Sequence, residues 1–402
     1  MDWNEELKAF ILNHRTDDPL SLALQQKKYP QMDMKFVAQQ VEGYSMAKDK
    51  LPSLALCDDF VYPPKLNREQ CSSEVTAIFK AEIYSRGKTV ADITGGLGID
   101  SMFMSKTATS VTYIEQNKEL HNIAKHNFKA LSLSNIECHC IDGIDFLKET
   151  DKHFDLIYID PARRDNQGRK VSAFENCTPN ILNNIDLLLS KADLVLIKSS
   201  PMIDISMALS QLRNVVSTTV LSVRNECKEV LFLCSAEVMT NATTCRCVNI
   251  RTDGNMDDLT FLKETENALA IPYTATIGNY IYDPNVSILK GGAFKTVAHV
   301  YNVAKLHRNT HLYTSSEIIK NFPGRVFRVI KELHVSAKDI AGELPDGKAH
   351  VVVRNYPLSS QELQKKLHLK EGGNLFVIAL TKCDEKKTLL LCSKEEKEFE
   401  EE

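Results

Sequence analysis

A chain of 402 residues exceeds one ordinary domain, and its 43% hydrophobic and 25% charged content is that of a folded protein with room for two or three cores. The formal net charge of −4 excludes a uniformly basic coat but hides a division: Val286–Lys370 holds 14 Lys or Arg against 6 Asp or Glu, a balance of +8, so the remainder carries −12. No run of about 18 apolar residues occurs, which excludes a membrane-crossing helix; the acidic start Met1-Asp2-Trp3-Asn4-Glu5-Glu6 lacks the order of a signal peptide, and a cytoplasmic location is expected.

Residues 1–84 alternate short helical patterns with breaks at Pro19, Pro30, Pro52 and Pro63-Pro64. The last helix is predicted to start at Ser72-Ser73-Glu74 and to bury a stripe of Val75, Ile78, Phe79 and Ile83. From Thr89 the rhythm changes to short apolar strands at Thr89–Ile93, Val111–Glu115, Ile136–Ile141, Phe154–Ile159, Leu194–Lys198, Val215–Val223 and Glu229–Leu233. Helical patterns such as Lys118–Leu131 and Pro179–Leu189 separate most of them, which predicts a parallel sheet covered on both faces. Only Arg224–Lys228 divides the last two, too short for a parallel crossover, so an antiparallel hairpin is expected at the edge. Further on, helices are predicted at Thr296–Leu306, Ser316–Lys320 and Ser360–Leu367, with strands at Val326–Ile330, His350–Val353 and Leu375–Leu380. The expected division is a helical region 1–84, an α/β domain 85–250, a small α+β region 251–395 and an acidic tail 396–402. Eleven scattered cysteines include the pairs Cys138/Cys140 and Cys245/Cys247 but never Cys-x-x-Cys, so reduced structural thiols are expected and no zinc site.

In an open α/β sheet the ligand lies where the first strand turns into the first helix, here Thr94-Gly95-Gly96-Leu97-Gly98-Ile99-Asp100. Glycines permit close backbone approach and positive φ, but NAD enzymes use such loops too, and a purely structural turn is the third reading. Charge separates the first two. Carboxylates stand at four successive strand ends, Asp92, Glu115, Asp142 and Asp160. These favour S-adenosylmethionine (AdoMet), which carries a sulfonium and an ammonium, and repel a pyrophosphate. Glu115 suits a ribose diol and Asp142 the adenine amino group.

The runs Val90–Asp100, Tyr113-Ile-Glu-Gln-Asn117, Cys140-Ile-Asp-Gly143 and Asp155-Leu-Ile-Tyr-Ile-Asp-Pro-Ala-Arg-Arg164 resemble class I methyltransferases. Asn225-Glu-Cys-Lys-Glu229, His311-Leu-Tyr-Thr-Ser315, Phe322-Pro-Gly-Arg-Val-Phe327 and Val353-Arg-Asn-Tyr-Pro357 narrow the likeness to bacterial methyltransferases with a THUMP-like C-terminal domain, over about residues 65–395. The resemblance implies a Rossmann-like sheet, a ferredoxin-like and THUMP-like appendage, and an RNA substrate such as tRNA or rRNA. It also implies a cofactor set of Asp92, Thr94, Gly95, Gly96, Gly98, Asp100, Glu115, Gln116, Asp142, Gly143 and Asp160.

The fourth strand ends in Asp160-Pro161-Ala162-Arg163-Arg164, where the acceptor is expected to meet the methyl group. Enzymes that methylate nitrogen often carry Asn/Asp-Pro-Pro-Tyr/Phe there; Ala162 and Arg163 depart from that and remove the ring that stacks on a flipped base. Asp-Pro-Ala-Arg resembles instead the enzymes acting on carbon 5 of uracil, but their nucleophilic cysteine is missing from Lys198-Ser199-Ser200-Pro201, and neither Cys177 nor Cys227 is expected at that strand end. Direct transfer to nitrogen or oxygen is therefore expected, with Asp160, Pro161, Arg163, Arg164 and Lys198 as the catalytic set. Arg163, Arg164, Arg169 and Lys170 form a basic cluster fit to clamp phosphate. Lys198 reads equally as a substrate contact or as a buried ion-pair partner. His299, His307 and His311 are expected to be ordinary surface or core-edge groups. In the basic region Arg325, Arg328, Arg354, Lys365 and Lys366 are candidate RNA contacts. Competing readings are a methyltransferase for protein or small molecules, and a non-catalytic AdoMet- or RNA-binding protein.

Overall fold

The computed structural model describes residues 3–163, 174, 177–237, 242–333, 340, 342–344 and 346–395, and the chain divides into two compact units, residues 1–216 with 230–240 and residues 217–229 with 241–402. The first unit opens with helices α1 (Glu5–Asn13), α2 (Pro19–Ala23), α3 (Met34–Lys50), α4 (Lys65–Gln70) and α5 (Glu74–Lys80). Side chains of Asn4, Asp18, Asp33 and Ser73 cap α1, α2, α3 and α5 by accepting first-turn amides. Ile11, Leu22, Met34, Val37 and Val41 make a small core of their own there.

Helix α5 corrects the sequence expectation. Val75, Ile78 and Ile83 are 39%, 42% and 41% exposed, while Thr76, Ala77, Phe79 and Lys80 are buried. The apolar spacing marks one face of the helix; the core takes the neighbouring face, because Lys80 meets a buried carboxylate.

The sheet of this unit runs in the order β9-β7-β4-β1-β2-β3, with β1 Thr89–Asp92, β2 Ser110–Ile114, β3 Ile136–His139, β4 Phe154–Ile159, β7 Ala192–Ser199 and β9 Glu226–Ser235. A two-stranded ladder of β5 (Ala162–Arg163) and β6 (Cys177–Thr178) lies outside it. β1, β2, β3, β4 and β7 are parallel, and β9 lies antiparallel to β7. The apolar strands Val90-Ala91 and Leu156–Ile159 are buried because helices such as α6 (Ile99–Met104), α7 (Lys118–Ala130), α8 (Gly143–Glu149) and α9 (Ile181–Lys191) accompany the sheet. Asp92 pairs with Tyr113 and with Tyr158, so β1, β2 and β4 end level with one another.

In the second unit Arg224 and Asn225, at φ 52° and 63°, make the two-residue turn between β8 (Val215–Val223) and β9. The hairpin is not the end of the sheet pattern: β10 (Thr244–Ile250) lies parallel beside β8, and β11 (Met256–Leu262) antiparallel beside β10. A seven-stranded sheet follows in the order β13-β14-β12-β15-β18-β17-β16. Its strands are β12 Tyr280–Pro284, β13 Ala304–Lys305, β14 Tyr313–Ser315, β15 Gly324–Leu333, β16 His350–Arg354, β17 Leu375–Thr381 and β18 Lys387–Lys394. The helix expected over Thr296–Leu306 covers only Phe294–Val300, and Asn302 at φ 49° turns the chain into β13. No helix forms at Ser316–Lys320; the Tyr282 hydroxyl instead donates to the Glu317 carbonyl and accepts the Ile319 amide, diverting groups a helix would use.

Candidate active site

The glycine loop is shaped by what surrounds it. A Cβ on Gly95 would lie 2.2 Å from the Tyr113 ring, and one on Gly98, which caps α6 at φ 80°, 2.7 Å from Phe128. Gly96 at φ 53° is different: a Cβ there would meet nothing nearer than 3.8 Å, so its backbone faces open space. The loop is tied down by Tyr113, whose hydroxyl donates to the Gly96 carbonyl at 2.6 Å.

The four strand-end carboxylates have distinct tasks. Asp92 is 1% exposed and accepts bonds from Ser101 Oγ at 2.6 Å and the Thr94 amide at 3.2 Å, so it organises the loop from beneath. Burial raises its pKa to about 7, against the lowering effect of the Ser101 bond. Glu115 accepts the amides of Gly96 at 2.8 Å and Asn117 at 2.7 Å, which holds it at the rim of the loop. Asp142 caps α8 through one oxygen, which accepts the amides of Ile144 and Asp145 at 2.8 and 3.1 Å. Gly143 has no room for a side chain, since a Cβ would lie 2.2 Å from the Ile93 carbonyl. Gln116 is exposed.

At the end of β4, Asp160 donates its amide to Thr94 Oγ1 at 2.7 Å, which locks this strand end to the glycine loop. Its carboxylate meets Lys198 Nζ at 2.5 Å, so the lysine is an ion-pair partner of the very residue expected to orient the acceptor. Burial raises the Asp160 pKa, and Lys198 opposes that. Of the other expected catalytic residues, Pro161 follows directly, Arg163 contributes backbone to β5, and Arg164 lies outside the described residues, as do Arg169 and Lys170. Cys177 pairs with Arg163 across the β5–β6 ladder, which brings a thiol-bearing residue near the end of β4, a position separate from the Lys198-Ser199-Ser200-Pro201 strand end for which no cysteine was expected. Sequence distance conceals it, because the ladder closes a connection of more than a dozen residues.

Sequence reasoning named Asp100 but missed the groups that hold it, Ser72, Lys80 and Tyr158. Asp100 on α6 accepts Ser72 Oγ and Tyr158 hydroxyl bonds at 2.8 Å each on one oxygen, and meets Lys80 Nζ at 3.0 Å on the other. Burial pushes its pKa up, but Lys80 first and Lys198 next outweigh that and hold it below the ordinary carboxylate range. The signal available was the lysine inside the stripe of α5.

In the second unit the arginines are already engaged. Asp283, 2% exposed, accepts from Arg325 Nη2 at 2.5 Å and Arg354 Nη2 at 3.0 Å, so both expected RNA contacts hold a buried carboxylate. Arg328 pairs with Glu395 at 2.6 Å, whereas Lys365 and Lys366 are exposed at the end of the capped helix Ser360–Lys366. His307 bonds to Glu385 at 3.1 Å, and His311 stacks on Phe294 with centroids 3.7 Å apart, where burial lowers its pKa to about 4.

Among the described residues no helix is long and apolar enough to cross a membrane. Residues 78–216 match a family described as conserved hypothetical protein 95, residues 280–323 a ferredoxin-like domain and residues 324–394 a THUMP domain-like family. An uncharacterized RNA methyltransferase of Mycoplasma mobile is 31% identical over 84 residues, 21% of this chain and 23% of its own length. The ribosomal RNA small subunit methyltransferase J of Bdellovibrio bacteriovorus is 34% identical over 79 residues, 18% of this chain and 31% of its own length. The chain thus spans less than a third of either curated relative. A solved protein of Porphyromonas gingivalis W83, assigned to the methyltransferases, is 32% identical with a TM-score of 0.88, covering 98% of this chain and 100% of that one. Similarity at that level along the whole length carries the assignment: this chain belongs to the same methyltransferase family, with a class I methyltransferase sheet, a ferredoxin-like segment and a THUMP-like segment.

Proposed function

We propose that the chain transfers the methyl group of AdoMet to RNA, by direct attack of a nitrogen or oxygen acceptor at Asp160. The observation that carries the reading is the convergence of Asp92, Glu115 and Asp160 on one glycine loop, through Thr94 and the Gly96 amide. The residues fit the cofactor: Gly96 faces open space, and the groups around the loop are acidic, as a sulfonium and an ammonium require. Bound there, AdoMet supplies an electrophilic methyl. Glu115 and Asp142 would hold its ribose and adenine. Asp160 accepts a hydrogen bond from the acceptor and aims its lone pair, and Lys198 keeps that carboxylate in place. The RNA substrate is supported by the RNA methyltransferase names of both curated relatives and by the THUMP-like segment.

Cys177 favours a second reading, a covalent adduct with a pyrimidine ring, because it pairs with Arg163 beside the site. One experiment separates the two. Total RNA from a deletion strain is incubated with the protein and labelled AdoMet, and its nucleosides are resolved by mass spectrometry. An N- or O-methylated nucleoside is expected; a C5-methylated pyrimidine, together with an adduct trapped by 5-fluoropyrimidine RNA, establishes the covalent route. No label in any RNA removes the RNA substrate.

A further inference from the structure

We propose that Lys80 and Ser72, contributed by the helical segment that precedes the sheet, are positioning residues of the cofactor site and act through Asp100; this rests on the methyltransferase reading above. Lys80 is fully buried, and its ammonium lies 3.0 Å from both Ser72 Oγ and Asp100 Oδ1, with the Tyr158 ring centroid 6.0 Å away. Ser72 is 5% exposed and Asp100 9%, so the arrangement is removed from water. Asp100 stands two residues after Gly98 in the loop that faces the open space, on the first turn of α6.

Packing alone does not account for this. A buried ion pair loses most of its attraction to desolvation, and apolar residues of the same volume often serve stability as well or better. Helix α5 nevertheless leaves Val75 and Ile78 on its exposed side and turns Lys80 inward. What the arrangement does supply is a carboxylate fixed in direction by two hydroxyl donors and fixed in charge by a neighbouring ammonium. A carboxylate so held fixes the first turn of α6 beside the glycine loop, so the loop meets its ligand without having to reorganise. Lys198 also lies within electrostatic reach of Asp100, so Asp100 and Asp160 share one field. The groups that face Asp100 are therefore Ser72, Lys80 and Cys71 from the segment before the sheet, Asp92 from β1, Tyr158 from β4 with Asp160 at its end, and Lys198 from β7.

The test compares melting temperature with AdoMet affinity, read by calorimetry, in the full chain. Lys80→Met strands the Asp100 charge and is expected to lower both. Lys80→Met combined with Asp100→Asn leaves no stranded charge; it should recover most of the melting temperature yet bind AdoMet at least about tenfold more weakly than wild type. Ser72→Ala, which leaves the ion pair intact, should lower the melting temperature less than Lys80→Met does and lose about three- to fivefold in affinity, while Lys80→Arg, which keeps the charge, should restore binding relative to Lys80→Met. If the double variant and Ser72→Ala both bind AdoMet within about twofold of wild type, the pair is a packing device and the inference is wrong. Wild-type protein that binds no AdoMet at all overturns the cofactor reading itself, and this inference with it.

Discussion

The two ends of this chain use charge in opposite ways. Around the glycine loop, Asp92 and Asp100 are buried and Asp160 is partly exposed; Lys80 pairs with Asp100 and Lys198 with Asp160, while Asp92 is held by Ser101 and the Thr94 amide, so among the described residues three carboxylates share two cations. In the second unit the arithmetic runs the other way: a basic surplus legible in the sequence is partly spent on its own carboxylates, with Arg325 and Arg354 on Asp283 and Arg328 on Glu395. A formal count of charges thus underestimates the first region, whose lysines dilute the acidic total, and overestimates the second. What decides function is how many charges lack an internal partner of opposite sign.

If the first region is organised as described, its residues should separate into those that act on transfer and those that act on binding. The largest effect is expected at Asp160. Asp160→Ala should lower methyl transfer by about 10²- to 10⁴-fold while AdoMet affinity stays close to wild type, measured by single-turnover label transfer beside calorimetry. An equal loss in binding would place Asp160 with the cofactor groups. Next comes Glu115→Ala, which frees the Gly96 and Asn117 amides and should weaken AdoMet by about 1–3 kcal/mol. Unchanged affinity there would break the cofactor assignment.

A smaller effect sharpens the contrast through pH. Burial places the Asp92 pKa at about 7, above its ordinary value of 3.8, so the folded state holds this proton more tightly than the unfolded chain does. Its stabilising contribution is complete below about pH 4 and declines as pH rises through about 7. Between pH 5 and pH 8 the unliganded protein should therefore lose stability, on the order of 2 kcal/mol from this group. Asp92→Asn carries no charge at either pH, and urea midpoints of the variant should show a flatter dependence than wild type. Parallel slopes for the two proteins would mean that Asp92 is ionised throughout.

Much of the first region was readable in advance, and the reasons are local. The strands at Phe154–Ile159 and Val215–Val223 follow from short runs rich in apolar and β-branched residues, and the helix from Lys118 follows from its Asn117 cap and strong periodicity. The cofactor loop was legible because glycine content and strand-end acids are both sequence properties. Lys80 was not, since a lysine within an apolar stripe is read as solvent-facing unless its partner is known, and Asp100 lies twenty residues on in another element. The same limit explains Arg325 and Arg354: the guanidinium groups are visible in the sequence, but the carboxylate they share sits on β12, a strand the pattern did not announce.

That limit supplies the last and smallest expected effect, which bears directly on the second region. Lys365 and Lys366 are exposed at the C-terminal end of a capped helix, and neither is held by a buried acid in the way Arg354 is. If the module binds RNA through phosphates, these lysines should carry part of the salt dependence, whereas Arg354 should carry mainly structure. Lys365→Glu with Lys366→Glu is expected to reduce the slope of log affinity against log salt by about 2, with melting temperature unchanged. Arg354→Gln is expected to do the reverse. It removes one of two cations from Asp283, leaves Arg325 in place, and, being partly exposed, should cost about 1–2 kcal/mol of stability with little change in slope. Filter binding of a cellular RNA fraction at two salt concentrations, beside thermal melts, measures both quantities. A steep loss of RNA affinity in Arg354→Gln without loss of stability would show that the Asp283 cluster faces RNA after all. Its carboxylate would then be aiming the guanidinium groups outward, and the contrast between the two regions would narrow to one shared design in which a buried carboxylate aims its cations.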